Sequence, residues 1–523
     1  MKSIVIAFLI ISFSTTVCLG QVSSVDLLDK THVNWHNKDL QIDSKVGVSV
    51  RKTYLELLKD KKSKKTVVVA VIDTGVDKDH EDLKDKVWIN KGEIPDNNID
   101  DDQNGYVDDV YGWNYLGGSS GDNINYENYE YTRLIKFKDV KHPFYNEAKL
   151  AYDKEFDKRK KDRNYIEKLE ENLKIAKDII KENTGVEVLS GKDLVSIKSN
   201  NEKVLSAKEY LNRRYSSGFT ERGLARFKLS NDKYLKYYLN TQFNPREIAG
   251  DDPLDLSDKN YGNPNVTGPA SSHGTSVAGV IAAIRDNGIG INGIATDVQI
   301  MVLRAIPNGD ERDKDVALAI MYAVDNGADI INMSFGKKIS PNKDFVDKAV
   351  RYAEDNNVLL VHAAGNEGVD IDAAPKFPSN IYTDGTNAMT WLNVGASDAK
   401  VGKEIAAIFS NYGIVNVDIF APGVNIVSLD TGNTYSLHNG TSLSAPVVSG
   451  VAALLLSYYP DLTAKELKNI LRESCSIITK PKKIYKPGFD SDKRKKTSIK
   501  KLSNTGGIIN VYNAFIEAEK RRN

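Results

Sequence analysis

Four side chains in this sequence could together break an acyl bond. Asp73 ends the apolar run "VVVAVIDTG", His273 opens "HGTSVAGVIAA", Asn366 lies in "AAGNEG" and Ser442 lies in "NGTSLSAPVVSGVAALL". A serine hydroxyl is a poor nucleophile at neutral pH and needs an adjacent base. Histidine suits that task because its ordinary pKa is about 6.5. A carboxylate that accepts the imidazole Nδ1 proton fixes the tautomer and stabilises the imidazolium. A side-chain amide and a backbone N–H at a helix start can hold the oxyanion of a tetrahedral intermediate. Each residue alone has a plainer use: a strand-end turn for Asp73, a cap or core position for His273, a left-handed turn for Asn366, a helix cap for Ser442. All four in one chain, each beside a strand end or helix start, point to nucleophilic catalysis.

Those side chains need elements that converge. "TVVVAVIDTG" reads as a buried parallel strand. From residue 266 onward helix and strand alternate: helix "HGTSVAGVIAAI", strand "VQIMVLRAI", helix "DKDVALAIMYAVDNG", strand "ADIINMSFG", helix "FVDKAVRYAEDNN", strand "VLLVHAAGN". That alternation predicts an α/β chain, doubly wound, with a mostly parallel sheet and helices on both faces. Ligands of such sheets lie beyond the carboxyl ends of the strands, where Asp73, Ser334 and Asn366 all fall. Pro446 is tolerated most easily in a first helical turn, so it predicts Ser442 at or just before a helix start. Residues 125–250 differ. They are charged, poor in glycine and helical in period, with further helical stretches around "SAKEYLNRRY" and "SNDKYLKYYLN". They read as a mainly helical insertion with solvated charged faces.

The four motifs, in the order Asp, His, Ser for the triad, resemble the subtilisin-like serine proteases, the subtilases, whose chain order this is. The resemblance covers roughly residues 45–120 and 255–520. It implies Asp73, His273 and Ser442 as the triad, and Asn366 with the Ser442 backbone N–H as the oxyanion site. It also implies that an extended peptide pairs with Ser334, Phe335 and Gly336, and that Ala363, Ala364 and Gly365 form one wall of the main specificity pocket. Phe335 stands where the family usually has leucine, Ser276 replaces a frequent histidine, and "LSAP" replaces the commoner "MAAP". None of these changes removes a catalytic atom. The expected function is an exported serine endopeptidase acting through an acyl-enzyme on peptide or protein substrates. The alternative is a catalytically silent subtilase fold serving as a binding or scaffold protein. An α/β-hydrolase is excluded by motif and order, since Ser442 comes last and lies in no G-x-S-x-G elbow.

Catalysis by such a triad needs no cofactor. A structural calcium ion has two candidate places. Asp100, Asp102, Asn104 and Gly105 have the spacing of a calcium loop, with Tyr111 where the loop's bidentate glutamate would stand and Asp108 or Asp109 available to complete a cage. Asp82 with Asn287, and carbonyls near Ile289 and Ile291, resemble a family calcium site.

The 71 basic and 71 acidic residues cancel, which gives no global field for nucleic acid or an anionic membrane. "MKSIVIAFLIISFSTTVCLGQ" reads as a secretory signal peptide. The divisions expected are a signal peptide at 1–20, an N-terminal extension at 21–60, a catalytic domain at 61–124 and 251–523, and the insertion at 125–250. The protein would be periplasmic or secreted, a monomer, and without an integral membrane segment after cleavage. No other stretch is expected to span a membrane. The stretch before the first strand is too short for the longer pro-domain many subtilases carry. Cys475 reads as a semi-buried structural thiol. The insertion, placed between Asp73 and His273, is expected to gate the groove.

Overall fold

The computed structural model of the 523-residue chain describes residues 19–22, 24–138, 140–489 and 494–522. Residues 1–18, the bulk of the expected signal peptide, lie outside them. The chain forms two compact units. One ends at Asn125 and resumes at Pro245, and the other is Tyr126–Asn244.

The first unit holds ten strands that matter here. They are β1 (Leu19–Val22), β2 (Val67–Asp73), β3 (Gly112–Asn114), β4 (Val298–Arg304), β5 (Ile330–Met333), β6 (Leu359–Ala363), β7 (Trp391–Ser397), β8 (Ile419–Pro422), β9 (Ile426–Asp430) and β10 (Thr434–His438). Seven form a sheet of order β3-β4-β2-β5-β6-β7-β8, parallel at every pairing. The alternation along β2 shows why. Val67, Val69 and Val71 enter one core with the helices Ser272–Ala282 and Thr441–Tyr458. Ala70 and Ile72 enter another core with the helices Asp313–Asp325 and Lys343–Asp355. A strand covered on both faces must be apolar along its buried length, as β2 is from Val67 to Ile72.

The chain after the sheet turns back as the hairpin β9–β10, to which β1 adds an antiparallel third strand. β10 leads directly into Gly440 and Ser442. The N-terminal extension is fastened to this unit. Trp35 Nε1 donates to the carbonyls of Val424 and Asn425 at 3.1 and 3.0 Å, and Asn37 Nδ2 donates to that of Asn292 at 2.6 Å. The helix Thr441–Tyr458 has the length and apolar composition to cross a membrane, contrary to the expectation that only the N-terminus does. It is 94% buried inside the protein and serves as its central core helix.

The second unit is helical, with helices Glu130–Phe137, Tyr145–Thr184, Glu202–Ser216 and Glu221–Lys233. Leu169, Leu173, Ala176 and Ile180 of the long helix pack with Val204, Ala207 and Leu211, spacings of three and four that put them on one face. The stretch "SNDKYLKYYLN" is the end of a helix continued by a π-helical turn, Tyr234–Tyr238. The chain rejoins the first unit at Pro245 rather than at residue 251. Arg246 is the reason. Its guanidinium donates to both oxygens of Asp315 at 2.9 and 3.1 Å and to Asp251 at 2.6 Å, all of them buried. Arg246, which falls within the stretch read as having solvated charged faces, is part of an internal clasp.

Candidate active site

Asp73 is the last residue of β2, in register with Arg304. Its Oδ1 accepts from the Thr74 N–H at 2.7 Å and from His273 Nδ1 at 2.7 Å. His273 is the second residue of its helix. The helix can approach so closely because residue 274 is glycine: a Cβ there would lie 2.0 Å from the Gly75 carbonyl oxygen and 3.2 Å from the Asp73 Cβ. Burial, the largest influence on His273, disfavours the imidazolium. The charge and hydrogen bond of Asp73 outweigh it and hold the His273 pKa above its ordinary value.

Ser442 is the second residue of the helix Thr441–Tyr458, and Gly440 occupies the cap position without a side-chain hydrogen bond. The serine is therefore inside the helix, and Pro446 lies beyond its first turn. A proline there has no N–H for the carbonyl four residues back, which is that of Ser442. Ser334 Oγ, just past β5, donates to that carbonyl oxygen instead at 2.9 Å. The Ser334 hydroxyl thus fixes the Ser442 backbone.

Asn366 follows β6. Its Oδ1 accepts from the Thr441 N–H at 2.8 Å and the Thr441 hydroxyl at 3.0 Å, while that hydroxyl oxygen accepts from the Gly365 N–H at 3.1 Å. Two donors on Oδ1 turn the amide nitrogen the other way. The point where a Gly440 Cβ would sit is 2.8 Å from Ser442 Oγ, 3.4 Å from Asn366 Nδ2 and 3.6 Å from the Ser442 nitrogen. A hydroxyl and two N–H donors therefore surround one small space, which a side chain at 440 would fill. A cleft of about 270 Å³ opens from it, lined by Ser334, Phe335, Gly336, Ala363, Ala364, Gly365, Asn366 and Ser442. Among the residues expected to bind substrate, all six line it. The Phe335 carbonyl faces His362 Nε2 at 2.9 Å.

Four further residues of the cleft carried little sequence signal: His362, Glu367, Lys376 and Thr441. Glu367 and Thr441 adjoin Asn366 and Ser442 in sequence, so adjacency could have found them. Lys376 lies in an irregular stretch with no motif.

The candidate metal residues have mixed settings. Glu93, Asp100 and Asp102 offer carboxylate oxygens within 4.8 Å of one another. They are hard oxygen donors of the kind calcium takes, and they also accept hydrogen bonds within the loop, Glu93 from the Asp101, Asp102 and Asp108 N–H groups and Asp100 from those of Asn104 and Gly105. The sequence reading lacked Glu93. Asp108 and Asp109 are engaged elsewhere: Asp108 accepts from the N–H groups of Asn97 and Asn98, and buried Asp109 accepts from Asn90, Asn104 and Tyr322. Asn104 directs its Oδ1 to the Tyr106 N–H. Asp82 and Asn287 do come together, but the Asn287 amide donates to Asp82 at 2.7 Å and its oxygen accepts from the Ile289 N–H at 3.1 Å. The other Asp82 oxygen accepts from the Ile291 N–H at 3.0 Å. Arranged so, the pair closes its loop by hydrogen bonds. Burial pushes the Asp82 carboxyl up to about 6.

The fold and site define an α/β chain with a carboxylate, an imidazole, a hydroxyl and an amide at the carboxyl edge of a parallel sheet. The family model of the subtilase family matches residues 64–504, and the chain belongs to that family. It is 39% identical to a thermophilic serine proteinase of Bacillus sp. (strain AK1) over 39% of this chain and 44% of that relative. It is 34% identical to subtilisin NAT of Bacillus subtilis subsp. natto over 41% of this chain and 54% of the relative. The chain thus spans about half the length of these two relatives. A solved structure described as proteases from Pseudoalteromonas arctica aligns with a TM-score of 0.39 at 26% identity, over 50% of this chain and 81% of that one.

Proposed function

We propose that this protein is an exported serine endopeptidase. The observation that carries the reading is the 2.7 Å contact between His273 Nδ1 and Asp73 Oδ1, on the same sheet edge as Ser442. His273 takes the Ser442 hydroxyl proton as Oγ attacks a peptide carbonyl. Asp73 holds the ring in the tautomer that leaves Nε2 free to accept and stabilises the resulting imidazolium. Asn366 Nδ2 and the Ser442 N–H hold the oxyanion at the start of a buried helix, whose positive end favours negative charge there. His273 returns the proton to the leaving amine, and water then releases the acyl group by the same steps. The substrate strand lies along Ser334–Gly336 by main-chain hydrogen bonding. The N-terminal apolar segment directs export, to a periplasm or beyond the cell. Glu93, Asp100 and Asp102 would hold a calcium ion that braces their loop, with no part in the chemistry.

The reading is tested with a peptide library cleaved by wild type and by Ser442→Ala. Cleavage by the first and none by the second is expected. No cleavage by folded wild type would leave a scaffold role instead, and equal products from both would remove Ser442 from the chemistry.

A further inference from the structure

His362 faces more acceptors than it has protons. The sheet register places this buried residue between Met333 of β5 and Asn393 of β7. Its Nε2 faces the Phe335 carbonyl oxygen at 2.9 Å, and its Nδ1 faces Asn393 Oδ1 at 2.9 Å. Neighbours orient the Asn393 amide. Its oxygen also accepts from Trp391 Nε1 at 2.9 Å, and its Nδ2 donates to Asn380 Oδ1 at 3.3 Å. An indole nitrogen only donates, so the amide must turn its oxygen this way. Both ring nitrogens of His362 therefore point at acceptors. Burial pushes the His362 pKa down to about 4, so at neutral pH one proton serves two acceptors. Among the described residues no other donor reaches the Phe335 carbonyl, whereas Asn393 Oδ1 already has the indole. An unpaired carbonyl is the costlier loss, which puts the proton on Nε2.

We propose that His362 is the positioning residue of the Ser334–Gly336 segment: its Nε2–H holds the Phe335 carbonyl inward, so that the backbone groups of Ser334 and Gly336 stay turned to the cleft. This rests on the endopeptidase reading, in which an extended peptide pairs with that segment. Successive carbonyls of an extended segment point to opposite edges, so a hold on the middle one directs its neighbours. The two ends are tied by other groups. Ser334 Oγ accepts from Asn332 Nδ2 at 2.9 Å and donates to the Ser442 carbonyl, and Lys337 exchanges backbone hydrogen bonds with Phe377 at 2.8 and 2.9 Å. His362 supplies the hold between them. Its ring also lies against Gly336, where an added Cβ would be 3.6 Å from Nε2. His362 touches no reacting atom and acts only through the segment. Losing its donor weakens pairing with an extended peptide and leaves the attack by Ser442 intact.

The test uses full-length protein with two substrates. One is an extended peptide that wild type cleaves, taken from the library. The other is an ester of a single amino acid, which reaches Ser442 without lying along the segment. Glutamine puts an amide N–H near the place of Nε2, and asparagine puts one near that of Nδ1. His362→Asn should lower kcat/KM for the peptide about tenfold, through a higher KM, as the loss of one hydrogen bond does. It should leave the ester within about threefold of wild type, and His362→Gln should bring the peptide back to within about threefold. Equal peptide losses in both variants, no loss in His362→Asn, or an ester that falls with the peptide overturns the positioning role. If His362→Asn does not fold, nitrogen NMR of histidine-labelled protein decides, with the His362 signal assigned by its loss in His362→Gln. A neutral ring protonated on Nε2 is expected, and one protonated on Nδ1 alone overturns the proposal. A library in which wild type cleaves no peptide overturns the endopeptidase reading, and the positioning role with it.

Discussion

Ser334 Oγ donates to the carbonyl oxygen of Ser442 at 2.9 Å, replacing the backbone donor that Pro446 lacks. Ser334, far away in sequence, and Pro446, one helical turn on, thereby act on one carbonyl of the Ser442 backbone. Ser334→Ala leaves that buried carbonyl unpartnered and should cost about 1–3 kcal/mol. Pro446→Ala supplies a helical N–H at the same oxygen. In the double variant the cost of losing the Ser334 hydroxyl should shrink by about 1 kcal/mol, a coupling expected only of groups that share a partner. Urea unfolding of the four proteins reads it. Strict additivity would show that the two residues act separately.

His273 must be neutral to accept a proton. Its pKa is raised, so kcat/KM should fall as pH drops through a value above about 6.5. Asp73→Asn removes the groups that raise it and leaves burial, so the acid limb should move down while kcat drops by about 10⁴, the size seen for the same change in a chymotrypsin-type triad. Stability follows the same sign. The Asp73 contribution through His273 is fully present below the unfolded histidine value and is lost as pH rises through the folded one. The stability gap between wild type and Asp73→Asn should therefore narrow with rising pH, as denaturant titrations at several pH values would show.

The clasp at the chain's return is a separate matter of stability. Arg246, Asp315, Asp251 and Lys314 are buried together, and Tyr261 donates to Asp315 at 2.6 Å. Arg246→Met leaves the buried Asp315 carboxylate without its cation, while Asp251 keeps Lys314, and should destabilise by about 3–5 kcal/mol. Arg246→Met with Asp315→Leu should recover part of that loss. The midpoint of chemical unfolding measures both.

Calcium should raise the melting temperature through the loop of Glu93, Asp100 and Asp102. A ligand at a hundred times its dissociation constant stabilises by about 2.7 kcal/mol. Chelation should remove the gain, and Glu93→Gln or Asp100→Asn should abolish it without Asp82→Asn doing so. A calcium response unchanged in the first two variants would place the ion elsewhere.

The site's skeleton was legible because its residues terminate regular elements. Asp73 ends an apolar run, His273 begins a helix and Asn366 follows a strand, and a parallel sheet brings such ends to one edge. The strand β3 was not legible: three residues, Gly112–Asn114, give no period. Lys376 was hidden for another reason. It reaches the cleft from an irregular segment that is held by paired backbone groups of Phe377 and Lys337, a long-range contact that no local pattern encodes. Proline's preference for the first turn predicts Ser442 at or just before the helix start; it is the helix's second residue, and a distant hydroxyl replaces the donor that Pro446 lacks. Arg246 was assigned to the insertion because charge reads as surface until its buried partners are known.

In the proposed mechanism His273 activates Ser442. Labelling folded full-length protein with a fluorophosphonate, followed by peptide mass spectrometry, measures this directly. One adduct is expected, on Ser442, lost in Ser442→Ala and slowed by about 10² or more in His273→Ala. No adduct on folded wild type, or equal labelling after His273→Ala, would contradict it.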